Sequence, residues 1–243
     1  MDFGKAVSYL FEDDEWQSKV GIASLLSIIP VLNFAVIGYE VSTVRSVMRG
    51  ESRPLAKWSD VGALFMDGLW LSLARIIYVL PIFGLLIVPF ASFFLLAFAA
   101  GGENERVSVW APVALLICAC GFLFIIGYAL LFGLISPAIT AQYVRHGTFS
   151  ACFDVAAAGR FIRANLSDYL STWLGVLAIS VAINLVAGPV LAVVAFIPCL
   201  GQLAYILLLG AVAAFTLLVQ GHLVGQLLRA DLARAGTSQP PLP

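Results

Sequence analysis

Hydrophobic positions in this chain fall in long runs rather than in alternation, and the few polar positions mark where the runs end or turn. No Asp, Glu, Lys or Arg occurs in 107–144 or in 170–228, and 69–100 is interrupted only by Arg75. A bilayer core needs about 20 apolar residues per helical crossing. The run 170–228 is therefore too long for one crossing, and it predicts a turn at "FIPCLGQ" (196–202). Four crossings follow, at 69–100, 107–144, 170–197 and 203–228. Pro81, Pro89, Pro112 and Pro137 lie in or near these runs, and proline removes a helical hydrogen bond, so a crossing could also break there.

An earlier apolar run, 20–41, contains "IIPVLNF" (28–34). The string of proline, two apolar residues and then Asn or Gly occurs here, in "FIPCLGQ" and in "VLPIFGL" (79–85). Two readings of 16–48 stand. In one, a single crossing is kinked at Pro30, and Asn33 serves a neighbouring helix or the freed backbone carbonyl. In the other, the segment is a broken hairpin whose arms are each too short to span, and it re-enters the side it came from.

The polar joints carry helical periodicity. In "WSDVGALFMDGLW", Trp58, Val61, Phe65 and Leu69 recur at helical spacing, with Ser59 or Asp60 placed to cap. In 149–165, Phe149, Phe153 and Ala156 share a face from which Asp154, Arg163 and Asn165 are absent. Residues 1–15 repeat the pattern briefly with Phe3, Val7 and Leu10. Such helices belong at the headgroup level. The expected organisation is one membrane domain over 1–243. It comprises interfacial helices at 1–15, 58–68 and 149–165, the broken or re-entrant segment 16–48, the four crossings, and a polar tail at 229–243. The fold class is an all-α integral membrane protein, a polytopic helical bundle.

Composition agrees with this solvent: 61% of residues are hydrophobic and 11% charged, with mean hydropathy +1.01, against about 25% charged in a soluble domain. Charge orients the chain. Four basic residues fall in 45–57, three in 145–163 and two after 228, whereas 101–106 has one beside two glutamates. Basic residues stay cytoplasmic, which puts the basic loops and the C-terminus inside and the protein in a cell membrane. The hairpin reading of 16–48 keeps Lys5 and Lys19 on that side as well; the single crossing does not. Asp2, Glu12, Asp13, Asp14 and Glu15 make this end acidic, but acidic residues weigh little in the rule. The first nineteen residues lack a basic leader region, so no signal peptide is expected. A net charge of −1 without a basic run gives no nucleic-acid partner.

Several ordered segments, "FGKAVSYLFEDDEW", "SIIPVLNF", "GYEVSTVRSVMRGE", "PLAKWSDVGALFMDGL", "FDVAAAGRFIRANLSDYL" and "GHLVGQLLR", resemble the domain of unknown function 4013 family. The resemblance covers nearly the whole chain. It implies a prokaryotic multi-spanning membrane protein and transfers no catalytic residues.

Candidate chemistry is confined to polar residues within apolar segments, which are costly in a membrane and often functional. Besides Pro30 and Asn33, these are Glu40, Arg75, Asn184, Gln202, Gln220, His222 and Gln226. Glu40 is expected to reach the interface or pair helices, with a cavity-facing role as the alternative. Arg75 shares a helical face with Asp67 and Leu71 and is expected to reach headgroups or Asp67. His222 and Gln226 are i, i+4 neighbours suited to bonding across helices, with Gln220 half a turn away. Asn184 is expected to bond another helix or backbone loosened by Pro189. Cys118, Cys120, Cys152 and Cys199 have no zinc or disulfide spacing, and neither catalytic signatures nor a cofactor motif occur. No catalytic, metal or cofactor site is expected.

The reading that follows is a non-enzymatic membrane protein in contact with lipids that forms a homo-oligomer and encloses a pore or lipid. The alternatives are an accessory or scaffold subunit bound to a partner membrane protein and, last, an intramembrane enzyme.

Overall fold

A computed structural model describes residues 1–100 and 106–236. The connection expected at 101–106 and the end of the polar tail fall almost wholly outside the described residues. Those described are helical, without strands, in the order α1 (Phe3–Ser8), α2 (Trp16–Ile28), α3 (Asn33–Arg49), α4 (Val61–Ala100), α5 (Arg106–His146), a 3-10 turn (Phe149–Phe153), α6 (Val155–Ala164), α7 (Leu166–Ala195) and α8 (Leu200–Arg234). Four helices are long and apolar enough to cross a membrane: Val61–Phe94, Ala111–His146, Leu166–Ala195 and Leu200–Arg234. The chain is an all-helical, multi-pass membrane protein.

The broken segment is two helices. Ile29, held before a proline, leaves the helical region (φ −95°, ψ 113°), as proline demands of its predecessor. Asn33 then opens α3, its N–H bonding Ile29 O at 2.9 Å. At 13 and 17 residues, neither arm reaches the length of a crossing.

The three proline strings behave differently. "IIPVLNF" and "FIPCLGQ" each end one helix and start another, whereas α4 runs unbroken through Pro81 and Pro89. At the second break a Cβ on Gly201 would lie 2.3 Å from Val194 O, so glycine three places after Pro198 is required for the chain to double back. At Gly84 nothing lies within 4 Å; that glycine makes no turn.

The chain divides into two compact units. One comprises Met1–Ala74 and Pro137–Pro243, and its axis is α8, against which α1, α2, α3 and α7 all pack. Backbones approach closely at glycines. A Cβ on Gly210 would sit 2.4 Å from Ser24 O of α2, and one on Gly225 would sit 2.6 Å from Val47 Cβ of α3. Helices α3 and α4 cross the same way, with a Gly38 Cβ 1.7 Å from Leu64 O and a Gly68 Cβ 1.7 Å from Phe34 O. Small residues are how helices in lipid come close enough for dispersion to hold them. The other unit, Arg75–Ser136, pairs the remaining parts of α4 and α5. In it Tyr128 Oη donates to Tyr78 O at 2.6 Å, in the turn before Pro81, and Cys118 Sγ lies 3.3 Å from Pro89 O.

Three expected interfacial helices take another form. The helix at 58–68 is not separate from the crossing at 69–100. Asp60 caps the start through Ala63 N–H (3.0 Å), and α4 continues without interruption because nothing at 68–69 breaks it. Trp58 lies outside that helix, stacked on Tyr39 at 4.5 Å with its Nε1 donating to Lys19 O. The segment 149–165 is split at Asp154, whose carboxylate caps α6 through Ala157 N–H (2.7 Å). Helix α1 is only six residues long, and Ala6, Tyr9 and Leu10 bury against protein.

Because the α3–α4 crossing leaves no room for a side chain, Gly38→Ala should lower the unfolding temperature in detergent, with a cost of roughly 1–3 kcal/mol or more for overpacking. Gly127→Ala, where nothing lies within 4 Å, should be neutral or stabilising by about 1 kcal/mol through helix propensity. Equal unfolding temperatures for the two variants would contradict the crossing.

Candidate functional site

Polar side chains gather where the C-terminal half of α8 meets α1 and the end of α3. Helix α3 stops at Gly50, whose φ of +78° a side chain would strain. Gly50 N–H bonds Val47 O and Glu51 N–H bonds Ser46 O, the paired closure of a helix end. This end, α1 and α8 bound a cleft of about 530 Å³ lined by Asp2, Lys5, Glu51, Ser52, His222, Gln226 and Arg229.

His222 and Gln226 form the floor of that cleft. Gln226 clamps residue 2: Oε1 accepts Asp2 N–H at 2.8 Å, and Nε2 donates to Asp2 O at 2.9 Å. These two bonds fix the amide's orientation, so its nitrogen is the atom 3.1 Å from His222 Nδ1. An N–H facing Nδ1 leaves the ring proton on Nε2. His222 is 4% exposed and stacks on Tyr9 at 4.3 Å. Tyr9 Oη donates to Leu218 O at 2.9 Å. Burial, with Tyr39 nearby, pushes the Tyr9 phenol well above its usual range, so it stays a neutral donor. The carboxylates of the cleft are already engaged, Asp2 as the cap of α1 (2.8 Å to Lys5 N–H) and Glu51 by Arg49 (2.7 Å). This is the chemistry of a clamp holding α1 onto α8.

The turn beyond α1 is fixed by a buried ion pair. Asp13 and Lys19 are 6% and 8% exposed and meet at 2.7 Å. Desolvation alone would raise the Asp13 pKa. The hydrogen bond from Lys19, the Glu15 N–H and the charges of Lys19 and Arg53 outweigh it, and the carboxyl titrates below its ordinary value.

The other expected residues lie elsewhere. Gln220 is half-buried outside the cleft. Glu40 does not reach a surface: it is fully buried in α3, and Gly221 of α8 makes room for it, since a Cβ there would be 3.2 Å from Glu40 Cγ. Arg75 is half-buried at the start of the second unit. Its expected partner Asp67 is engaged by Arg45 and by Tyr143 Oη (2.9 Å). Asn184 bonds neither another helix nor the backbone near Pro189. Its Nδ2 donates to Ser180 O of its own helix at 2.8 Å, because this face of α7 is exposed. Gln202 ties the second break, with Nε2 on Ala195 O at 2.8 Å. Pro30 is exposed and Asn33 half-buried at the first break.

Sequence reasoning did not find a second polar knot. Asp231 accepts from Arg145 and, at 2.5 Å, from Asn165 Nδ2. Arg234 bonds Asn165 Oδ1 at 2.7 Å and pairs with Asp168. Arg145 also lies 4.6 Å above the Phe161 ring. The signal was charges of both signs at the ends of apolar runs, where only the basic ones were used, to orient the chain. The spacing Gly221-x-x-x-Gly225, which marks the α3 contact, was likewise overlooked. Among the described residues no three His, Cys, Asp or Glu side chains gather as a metal site, and the four cysteines are free.

A family model described as "Protein of unknown function (DUF4013)" matches residues 22–192. No curated protein and no solved structure matches the chain.

Asp13, with its lowered pKa, stabilises the fold fully above the unfolded value of about 3.9, and the contribution is lost as pH falls from there through the folded value. Wild type should therefore lose unfolding temperature below about pH 4, and Asp13→Asn should be less stable at pH 7 with a flatter profile; parallel profiles would remove the pair from the account. Gln226→Leu breaks two bonds worth about 0.5–1.5 kcal/mol each. It should speed amide exchange in α1 by roughly tenfold while α3 is unchanged, as read by hydrogen-exchange mass spectrometry.

Proposed function

The chain belongs to the DUF4013 family of proteins of unknown function, and from that premise we propose that it is a non-enzymatic membrane protein that assembles with copies of itself through the turn around Pro30 and Asn33. The observation carrying this reading is the first break. Ile29, Val31 and Leu32 are 50%, 59% and 37% exposed there, with Pro30 exposed beside them, at a point where two helix ends meet. Helix ends leave backbone groups without intrahelical partners, and hydrocarbon cannot bond them. A second copy covers such a break in every subunit equally, since most oligomers are symmetric. A closed ring of copies would surround a space for lipid or solute.

The same proposal places 16–48 as a hairpin entering and leaving on the cytoplasmic side, with the basic loops and the C-terminus. Its support is the shortness of α2 and α3 together with the basic residues after α3, at Arg53 and Lys57. A second reading, an accessory subunit for another membrane protein, is favoured by α7: none of the most apolar window of Leu166–Ala195 is buried within the chain.

Pro30→Ala with Asn33→Leu should join α2 to α3 and lower the native mass in mild detergent from an oligomer to smaller species. An unchanged mass in the double variant, or a monomeric wild type, removes self-association through this turn. A monomer that co-purifies with a second membrane protein selects the accessory reading.

A further inference from the structure

On the far side of α1 from the clamp, a groove of about 680 Å³ runs between the turn after α1, α7 and α8, with a lining almost free of polar surface. We propose that this groove holds one acyl chain of a membrane lipid whose headgroup carries an ammonium group. Two of its walls belong to spanning helices, so the groove opens toward hydrocarbon, and leaving it empty would forfeit dispersion contacts on every side. The hollow exists because α7 and α8 place Ala182 and Ala211 where larger residues would fill it.

Size selects the occupant. The α7 wall runs from Ile179 to Ala187. A helix lying along it would be about 10 Å across and, at 1.5 Å per residue, would occupy roughly 900 Å³, more than the groove offers. A flexible acyl chain conforms to it.

Charge selects the headgroup. At the polar end Phe11 and Trp16 meet edge to face at 5.0 Å, each next to a glutamate in sequence. The Glu12 side chain is 47% exposed with Lys5 at 3.8 Å, and Glu15 is 71% exposed with Lys19 at 3.7 Å. Lys19 is itself committed to Asp13 at 2.7 Å, and Asp14 to Arg53 at 2.8 Å. The rim thus sets four carboxylates against three cations, and its outermost charges are acidic. A net-anionic headgroup is repelled there; an ammonium is attracted to Glu12 and Glu15 and to the faces of Phe11 and Trp16. One copy of the chain suffices, so this site is independent of self-association.

The test uses two photoactivatable phospholipids with the same tail diazirine, one with a phosphoethanolamine and one with a phosphoglycerol headgroup, incorporated into nanodiscs with the full chain. Adducts are mapped by peptide mass spectrometry. The expected result is labelling within 179–187 and 208–215, about threefold stronger with the ethanolamine lipid, as an exposed charge and cation–π contact allows. Ala182→Trp and Ala211→Trp should each lower labelling there by roughly fivefold, equivalent to ~1 kcal/mol, while adducts in 113–131 of the other unit stay constant. Ala182 is exposed, so its variant keeps the core intact, and a single symmetric peak in size-exclusion chromatography checks this. Glu12→Gln with Glu15→Gln should erase the headgroup preference and keep the tail adducts. Labelling unaffected by either tryptophan, or equal or stronger labelling by the glycerol lipid in wild type, overturns the proposal. So does an interchain disulfide formed in membranes by Ala182→Cys or Ala211→Cys, which would place a second copy in the groove.

Discussion

Close approach of backbones at glycine is the constraint on which this protein depends. In hydrocarbon, burial of apolar side chains brings little advantage over lipid contact, so helices hold together only where dispersion acts at short range. Gly210 and Gly225 let α2 and α3 settle on α8, and Gly38 and Gly68 let α3 and α4 cross at backbone distance. The buried Glu40 fits for the same reason, because α8 presents Gly221 to it. Fill these positions and the short arms of the first segment lose their support.

What the sequence made legible followed from solvent and chain length. Uncharged runs set the four crossings, and their excess length located the turn at Pro198. The broken first segment was visible in Pro30 and Asn33, two residues that an uninterrupted crossing has little reason to hold. The same string at Pro81 shows the limit of such reading. Proline weakens a helix locally, but whether the helix parts depends on whether the chain beyond has somewhere to fold back. At Gly201 the backbone closes onto Val194, and at Gly84 it meets nothing. The joint at 58–68 was misplaced for a related reason: amphipathic periodicity records which face is wet and carries no mark of where one continuous helix leaves the interface.

Pair spacing within a helix was readable and pairing across the chain was not. His222 and Gln226 stood out at i, i+4, and both enter the clamp. Their partners, Tyr9 and Asp2, are more than two hundred residues away in sequence. Asp67 was assigned a neighbour on its own helix, whereas Arg45 of α3 reaches it over the glycine crossing. The knot of Arg145, Asn165, Asp168, Asp231 and Arg234 draws on three separated segments in the same way. Each residue of it alone reads as an ordinary charged or polar end of an apolar run.

The clamp between Asp2 and Gln226 sets the order in which this protein can be completed. The surfaces of α1, α2 and α3 that bury against α8 belong to the first fifty residues, and α8 is the last helix of the chain. At a synthesis rate of about 5–20 residues per second, roughly 10–40 s separate the emergence of α3 from that of the end of α8. For that interval the opening segment is inserted without its native neighbour, and its polar groups must be shielded by the insertion machinery or by lipid headgroups. Maturation of the first helices is therefore an end-of-synthesis event: a ribosome that stalls before residue 200 leaves a product whose beginning, not merely its end, is unfinished, and which quality control can recognise by its unclaimed glycine faces.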